Sequence, residues 1–188
     1  AGSVRRRRET VGDIALISVS EEPEPAIAAF VALPQVGEVL VHGPKKASVR
    51  LNSGLQVDLR IVEKEQLGSM LQYFTGSKQH NVLLRERARK MGLSLNEYGI
   101  THLGTGKLET FAREEDFYAR LGLPWIPPEL REGAAEIDLA EKGQLPRLVD
   151  DRDIRGDLHD HTDWSDGRDT LEAMVQAAVA QGFEYLAI

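Results

Sequence analysis

Two aspartates lie in separate apolar runs that are typical of β-strands, Asp13 within residues 12–19 and Asp58 within residues 55–62. A carboxylate that is buried without a partner costs free energy, so aspartates in this setting indicate bound cations. Carboxylates that bridge two divalent cations a few ångströms apart catalyse phosphoryl transfer. A strand supplies two such carboxylates at positions i and i+2, because these residues point to one face of the sheet. The position two after Asp13 is Ala15. The pattern therefore predicts a two-metal scaffold that lacks one bridging ligand. The alternative is that both aspartates lie in turns or at strand edges.

A group of potential phosphate ligands precedes the first aspartate. Gly2 and Ser3 are followed by four consecutive arginines at positions 5–8, and Gly12 stands immediately before Asp13. Backbone amides, hydroxyls and guanidinium forks are the groups that bind a triphosphate. The alternative is a solvated run of charge, but the position of the run just before Asp13 favours phosphate binding.

The middle of the chain offers contacts of another kind. Tyr73 and Phe74 precede Gly76 at the end of a predicted helix. Stacking on a sugar or base is one use of such aromatics, and core packing is the alternative that the residue types alone favour. Asn81 and Arg85 lie one turn apart on the next predicted helix, so both are able to reach a nucleic-acid groove or a template together.

A second metal-binding pattern occurs near the C-terminus. His159 and His161 are two residues apart in a predicted strand and share a face, and Asp166 follows in the next loop. Imidazole together with carboxylate suits zinc, manganese or iron. A pair of surface histidines in an acidic turn is the alternative, and the added aspartate favours the metal site.

The composition excludes several classes of protein. The 188 residues are 41% hydrophobic and 28% charged, as in ordinary globular proteins. No apolar run reaches the length of about 18 residues that a membrane span needs. The absence of cysteine excludes disulfides and fits a cytoplasmic location. The net charge of −7 argues weakly against nucleic acid, but cations concentrate in three segments, which leaves room for a local basic face: residues 5–8, 45–50 and 78–90.

The elements that position these residues change in character along the chain. An antiparallel-rich α+β module is predicted from four strands and one helix, namely strands 13–19, 37–41, 47–51 and 55–62 and helix 25–33. Helices are predicted next, with one strand among them: helices 65–74, 78–91 and 114–121 and strand 94–100. Ser77 is the expected N-cap of helix 78–91. A Pro-rich connector with a short acidic helix at 132–142 leads to a β-α-β unit at 157–161, 171–181 and 185–188. This last unit leaves its strands unpaired and uncovered, so we expect the chain to be a piece of a longer protein.

These motifs occur in an order that resembles a known family. Residues 2–120 resemble the palm and thumb of the family X DNA polymerases, and residues 156–188 resemble the first β-α unit of a PHP phosphoesterase domain. The combination, with the connecting sequence at 121–131, is similar to a bacterial family X polymerase that carries a C-terminal PHP domain. The resemblance implies an α+β fold with four parts: a nucleotidyltransferase-type palm at 1–63, a small α/β thumb at 64–121, a linker at 122–155 and the start of a PHP (β/α) barrel at 156–188.

The resemblance also implies roles for individual residues. In the palm, the resemblance implies that the triphosphate binds to Ser3, Arg6 and the backbone of Gly12. It also implies that Asp13 and Asp58 bind Mg²⁺ or Mn²⁺ and that Asp58 activates the primer 3′-hydroxyl. In the thumb, the resemblance implies that Tyr73, Phe74 and Gly76 pack against the nucleotide sugar. It implies that Asn81 contacts the nascent base pair and that Arg85 contacts the template. In the PHP part, His159, His161 and Asp166 are implied ligands of Zn²⁺ or Mn²⁺.

The implied function is template-dependent nucleotidyl transfer in gap-filling DNA repair, with a PHP domain that supports 3′–5′ exonuclease activity in the full-length protein. The implied partners are gapped or primer-template DNA and deoxynucleoside triphosphates. Ala15 stands where the family has a metal-bridging aspartate, so we expect impaired catalysis. The N-terminal lyase-like and fingers regions are also missing, and most PHP ligands would lie beyond Ile188. Two alternatives stay open: a non-catalytic platform that binds DNA and nucleotides, with any activity in the PHP domain, and a metal-binding α+β protein without a nucleic-acid role.

Overall fold

A mixed four-stranded sheet occupies the N-terminal part of the protein in the computed structural model, which describes all 188 residues. The elements of this part are α1 (Gly2–Arg5), β1 (Asp13–Val19), α2 (Pro23–Val31), β2 (Val36–His42), β3 (Lys46–Leu51) and β4 (Gln56–Val62). The strand order is β1-β4-β3-β2, with β1 parallel to β4 and the other pairs antiparallel. The four predicted strands and the helix between the first two are all present.

The two faces of the sheet differ in character because successive residues of a strand point to opposite sides. Val57, Leu59 and Ile61 of β4 are buried and pack with Ile27 and Phe30 of α2 in one hydrophobic cluster. The residues between them on β4 are polar and only partly buried. The polar face of β4 is therefore directed away from the α2 core.

Helices and a small sheet follow, with their own core. Their elements are α3 (Leu67–Thr75), α4 (Lys78–Lys90), β5 (Leu93–Asn96), β6 (Gly99–His102), β7 (Leu108–Glu109), α5 (Glu114–Arg120) and α6 (Glu136–Glu141). The core includes Leu84 and Ala88 of α4 and Phe117 of α5. Ser77 caps α4 as predicted, because its hydroxyl accepts a hydrogen bond from the His80 N–H at 3.3 Å.

The single strand predicted at 94–100 is wrong. The structure has a hairpin in which β5 and β6 pair antiparallel and β7 adds a third strand. The Asn96 side chain accepts hydrogen bonds from the N–H groups of Tyr98 and Gly99 at 2.9 and 3.0 Å. An asparagine that bonds to nearby backbone in this way favours a turn over a continuing strand.

The segment predicted as a connector contributes to the same core. Leu123, Ile126 and Ala140 belong to the hydrophobic cluster of α4 and α5. The Arg131 side chain is fully buried, with 0% exposure. The compact unit accordingly extends from Ala1 to Leu145, and a second unit comprises Pro146–Ile188.

The second unit has the predicted β-α-β order, but its strands are short. They are β8 (Gly156–Asp157) and β9 (Tyr185–Leu186), which pair in parallel on either side of α7 (Leu171–Ala180) in sequence. The strand predicted at 157–161 is wrong beyond Asp157. The Asp157 carboxylate accepts a hydrogen bond from the His159 N–H at 3.2 Å, and this local bond competes with strand pairing.

The structure confirms the α+β class. None of its helices has both the length and the apolar character needed to span a bilayer.

Candidate functional site

A cleft of about 320 Å³ opens on the polar face of the N-terminal sheet. It is bounded by α1, β1, β4 and the end of α3, and its lining residues are Gly2, Ser3, Arg6, Asp13, Ala15, Leu16, Ile17, Asp58, Arg60 and Phe74. The fold thus brings together five of the predicted site residues, which come from both ends of a 72-residue stretch: Ser3, Arg6, Asp13, Asp58 and Phe74.

The register of β1 and β4 places the two aspartates. Ala15 is the partner of Asp58, and Asp13 is the partner of Gln56, two residues earlier on β4. A strand spacing of about 4.8 Å and a rise of about 3.3 Å per residue put the Asp13 and Asp58 Cα atoms about 8 Å apart. Metal ions of a two-metal pair lie only about 4 Å apart. The position of Ala15, beside Asp58 and on the same face as Asp13, is therefore where a bridging carboxylate would be placed.

Gln56 is a site residue that the sequence did not indicate. Its amide Nε2 donates a hydrogen bond to Asp58 Oδ1 at 3.1 Å. The two residues are at i and i+2 on β4, so they share a face, and the bond restricts one oxygen of the carboxylate. Residue spacing alone would have placed Gln56 on this face, but glutamine in a strand gives no signal of a partner.

The donor atoms of the cleft suit a hard divalent cation. Asp13 and Asp58 offer carboxylate oxygens, and Mg²⁺ is commonly bound by one or two carboxylates together with substrate phosphates. Nowhere in the chain do three or more His, Asp or Glu side chains have an arrangement that could hold a metal ion. Any metal in the cleft would accordingly depend on ligands that the substrate supplies.

The arginine run is engaged by glutamates. Arg6 donates from Nε to Glu132 Oε1 at 2.9 Å and from Nη1 to the Thr75 carbonyl oxygen at 2.5 Å. Arg7 lies 3.4 Å from Glu129. The sequence did not indicate the two glutamates, because they are separated from the arginines by more than a hundred residues.

A buried ion cluster connects α1 with α5. The Glu114 carboxylate forms ion pairs with Arg5 at 2.6 Å and with the buried Arg131 at 2.7 Å. It also accepts a hydrogen bond from Trp125 Nε1 at 3.1 Å. Burial alone would raise the pKa of Glu114, but the two guanidinium groups outweigh burial and lower it to about 2. Glu114 is therefore a carboxylate that the surrounding positive charge holds ionised.

His80 forms a second buried polar cluster that the sequence did not reveal. One ring nitrogen lies 2.7 Å from Glu136 Oε1 and the other 2.9 Å from the Tyr118 hydroxyl. Burial lowers the pKa of His80, although the neighbouring Glu136 opposes the shift. All three side chains lie in the interior, so we assign this cluster to stability.

The aromatic residues at the end of α3 pack beside the cleft. The Arg60 guanidinium lies 4.4 Å from the centre of the Phe74 ring, and Tyr73 meets Phe74 edge-on at 5.2 Å. Gly76 has a positive φ of 68°, and a Cβ atom there would lie 3.3 Å from Arg6 Nη1. Gly76 thus permits the close approach of Arg6. Neither Tyr73 nor Gly76 lines the cleft.

Three further predicted residues lie outside the cleft. Gly12 is exposed and a Cβ atom there would meet open space. Asn81 accepts from Gln72 Nε2 and donates to the Tyr73 carbonyl oxygen, both at 2.8 Å, so it supports the end of α3. Arg85 is exposed and lines a different groove of about 360 Å³ between α4 and β5.

The predicted ligands of the second unit lie close to one another. His161 Nδ1 is 2.5 Å from Asp166 Oδ1, and the Nε2 atoms of His159 and His161 are 3.1 Å apart. The side chains of His161 and Asp166 are 47% and 84% exposed. Imidazole and carboxylate are donor types that zinc and manganese accept, but these three exposed side chains contact one another and are not arranged to hold a metal ion.

Comparison with known proteins identifies the relatives of the chain. Residues 70–132 match the family model for the DNA polymerase beta thumb. Over its full length the chain is 40% identical to the DNA polymerase/3'-5' exonuclease PolX of Bacillus subtilis, and it covers 33% of that protein. It is also 29% identical to DNA polymerase lambda of Rattus norvegicus, over 41% of the chain and 15% of the relative. The chain thus spans a third or less of the length of these curated relatives.

Solved structures agree with this relationship. Leishmania infantum polymerase beta in a ternary gap complex matches with a TM-score of 0.58 and 26% identity, over 70% of this chain and 60% of that chain. The same polymerase in a ternary P/T complex matches with a TM-score of 0.55 and 27% identity, over 70% of this chain and 65% of that chain. In sequence and in fold, the chain is thus similar to a fragment of a bacterial family X DNA polymerase.

Proposed function

We propose that this chain carries the nucleotidyl-transfer site of a gap-filling DNA polymerase and that Ala15 impairs the site. The observation that carries the proposal is the cleft in which Ser3, Arg6, Asp13 and Asp58 meet, with Ala15 directly beside Asp58. The relatives are DNA polymerases, and the structural matches are named as a gap complex and a P/T complex. We infer the same substrates here, namely gapped or primer-template DNA and deoxynucleoside triphosphates.

The cleft residues have separate tasks in this reaction. Ser3 and Arg6 bind the triphosphate, and Asp13 and Asp58 are the residues that would hold Mg²⁺ or Mn²⁺, which would offset the charge of the triphosphate. Asp58 accepts the proton of the primer 3′-hydroxyl. The freed oxygen then bonds to the α-phosphorus as the bond between that phosphorus and the leaving pyrophosphate breaks.

Ala15 removes one charged ligand from this arrangement. The sheet register leaves the Cα atoms of Asp13 and Asp58 about 8 Å apart, and Ala15, beside Asp58 and two residues after Asp13, offers no carboxylate. Loss of one group that stabilises transition-state charge typically lowers the rate about 100-fold to 1,000-fold. We therefore expect slow nucleotide insertion.

The remaining parts follow the same family relationship. We propose a palm at 1–63, a thumb at 64–121, a linker at 122–155 whose first part packs into the thumb core, and the start of a PHP domain at 156–188. Support for the thumb comes from the match at residues 70–132. His159, His161 and Asp166 are proposed as ligands of Zn²⁺ or Mn²⁺, for which their side chains would have to move out of direct contact with one another. The 3′–5′ exonuclease activity is proposed by analogy with the B. subtilis relative.

The DNA contacts are also proposals. Arg85 and Arg89 line the groove between α4 and β5, where guanidinium groups are able to bind the phosphates of a template strand. We place the template there, and Asn81 acts by supporting the end of α3 beside the nucleotide. Tyr73, Phe74 and Gly76 are assigned to the sugar side of the nucleotide site.

Single-nucleotide insertion on a gapped duplex tests this function. The purified protein is compared with its Ala15→Asp variant in Mg²⁺ and in Mn²⁺. Ser18→Asp is the matched control, because it adds the same charge to β1 outside the cleft. We expect Ala15→Asp to extend the primer at least about 100 times faster than the wild type and Ser18→Asp to have no effect.

Two other outcomes would change the assignment. Equal rates for wild type and Ala15→Asp would mean that another carboxylate bridges the metals. If neither protein extends the primer but both bind gapped DNA, the chain is a binding platform, the second candidate function that Ala15 itself favours.

A further inference from the structure

Arg6 is set apart from the other arginines of the run because it alone of the four lines the cleft. Its side chain is 14% exposed. The hydrogen bonds of its guanidinium use Nε, which donates to Glu132, and Nη1, which donates to the Thr75 carbonyl oxygen. Nη2 remains to donate to a ligand. Two acceptors on different elements thus fix the plane of a cation at the edge of the cleft.

Glu132 is itself held by buried structure. It follows Arg131, whose Nε donates to the Ile126 carbonyl oxygen at 2.8 Å and whose Nη1 donates to Glu114 at 2.7 Å. The Arg131 carbonyl oxygen accepts from the Ser77 N–H at 2.9 Å. The backbone beside Glu132 is therefore fixed from both its side-chain and its main-chain sides.

We propose that Glu132 is a positioning residue for the triphosphate, which it serves by holding Arg6 in the phosphate-binding orientation. The proposal rests on the proposed function, since it assumes that Arg6 binds the triphosphate. An arginine side chain loses much rotamer freedom when it binds a ligand, and a partner that orders it beforehand removes that cost from binding. The planar guanidinium fork makes the orientation as important as the charge.

The carboxylate of Glu132 has an opposing effect, because its negative charge repels phosphate and neutralises part of Arg6. Arg8 lies 3.9 Å from the same carboxylate oxygen and shares that charge. Arg60 adds a further cation to the cleft. We therefore infer that orientation outweighs repulsion, and substitutions that separate geometry from charge test this directly.

Calorimetric titration of the 188-residue protein with dATP and Mg²⁺ measures the effect. Glu132→Ala should raise the Kd about tenfold, the loss typical of removing one partner of a charge-assisted hydrogen bond. Glu132→Gln keeps an acceptor and should stay within about threefold of wild type. Glu132→Asp keeps the charge but withdraws the carboxylate by one methylene, so it should also weaken binding. Glu129→Ala, which removes the partner of Arg7 outside the cleft, is the matched control and should leave the Kd unchanged.

A double-mutant cycle separates positioning from general structure. In an Arg6→Ala background, Glu132→Ala should cause no further loss. A further loss there would overturn the proposal, because Glu132 would then act on the fold rather than through Arg6. Tighter dATP binding by Glu132→Gln than by wild type would also overturn the proposal, because it would show that repulsion by the Glu132 charge dominates. If Glu132→Ala fails to fold, the dATP affinities of Glu132→Gln and Glu132→Asp still decide the question.

The cycle also distinguishes the two levels of the argument. If Arg6→Ala leaves the dATP affinity unchanged, the proposed triphosphate site is wrong. If Arg6→Ala weakens binding and Glu132→Ala does not, the function stands and the role of Glu132 is refuted.

Discussion

The cleft around Asp13 and Asp58 and the cluster of His159, His161 and Asp166 are assembled in different ways. In the cleft, the side chains come from distant parts of the chain and meet through the seven-pair register of β1 and β4. In the cluster, all three residues lie within eight positions of one another, after a strand of only two residues. The cleft therefore depends on tertiary structure, whereas the cluster depends on local turns.

The difference shows how far a sequence motif can carry a site. A short motif such as His-Asp-His brings its histidines together with little help from the rest of the fold, but it leaves them exposed to solvent. Around a site made from separate strands, long-range ion pairs fix the arginine side chains, as the contacts of Arg5 with Glu114 and of Arg6 with Glu132 illustrate.

The largest effect is expected from Glu114→Ala. The substitution leaves Arg131 buried without its carboxylate and frees Arg5, so the free energy of unfolding should fall by about 3–5 kcal/mol. Urea unfolding monitored by circular dichroism measures the change. Glu129→Ala breaks a more exposed pair with Arg7 and should cost less than about 1 kcal/mol. Similar losses for the two variants would contradict the special role of the buried cluster.

A smaller change in the free energy of unfolding should follow from the titration of His80. Burial lowers the pKa of His80, so below its unfolded pKa of about 6.5 the unfolded chain binds a proton that the folded chain does not. The free energy of unfolding should therefore fall as the pH decreases from 7 to 5.5, with a limiting slope of about 1.4 kcal/mol per pH unit. His80→Asn should reduce this slope. An unchanged slope would show that His80 is not the titrating group.

Acid should act on the ion cluster at lower pH. Because the pKa of Glu114 is lowered to about 2, its contribution to stability is complete above the unfolded pKa of about 4.3. It is then lost as the pH falls toward 2. A pH titration of the unfolding free energy below pH 5 should show a steeper decline for wild type than for Glu114→Gln. Parallel curves would contradict this assignment.

The smallest effects are expected from substitutions of two helix N-caps, one in each unit. Ser77 caps α4 and Thr170 caps α7, each through a hydroxyl that accepts a backbone N–H bond, at 3.3 and 3.2 Å. Ser77→Ala and Thr170→Ala should each cost about 1 kcal/mol of helix stability. Helical circular dichroism during thermal unfolding measures both, with Ser77→Thr and Thr170→Ser as controls that keep the cap. An unaffected α7 signal would mean that the Thr170 cap is not formed in solution.

Periodicity and residue type sufficed for the regular elements and for most of the cleft. Apolar runs predicted β1 and β4, and a serine cap marked the start of α4. The paired aspartates and the Gly-Ser-Arg segment account for four of the five predicted residues that line the cleft. These signals are local, so the sequence carries them directly.

Other features depend on contacts that the sequence does not display. The hairpin at Asn96 and the early end of β8 at Asp157 follow from side chains that bond to nearby backbone and override strand propensity. The glutamate partners of the arginine run lie more than a hundred residues away, and the burial of Arg131 follows from the packing of a segment whose prolines suggested a connector. Tertiary packing decides such features.

Binding of Mn²⁺ tests the central claim that the position of Ala15 beside Asp58 is where the cleft lacks a bridging carboxylate. Titrations followed by electron paramagnetic resonance would compare Ala15→Asp with wild type, both carrying His161→Ala to remove binding at the histidine cluster, with Ser18→Asp as the charge control. The account predicts that Ala15→Asp binds Mn²⁺ at least about tenfold more tightly, because affinity rises with the number of carboxylate ligands. Adding Asp58→Asn should abolish the gain. Equal affinities for Ala15 and Ala15→Asp would contradict the account.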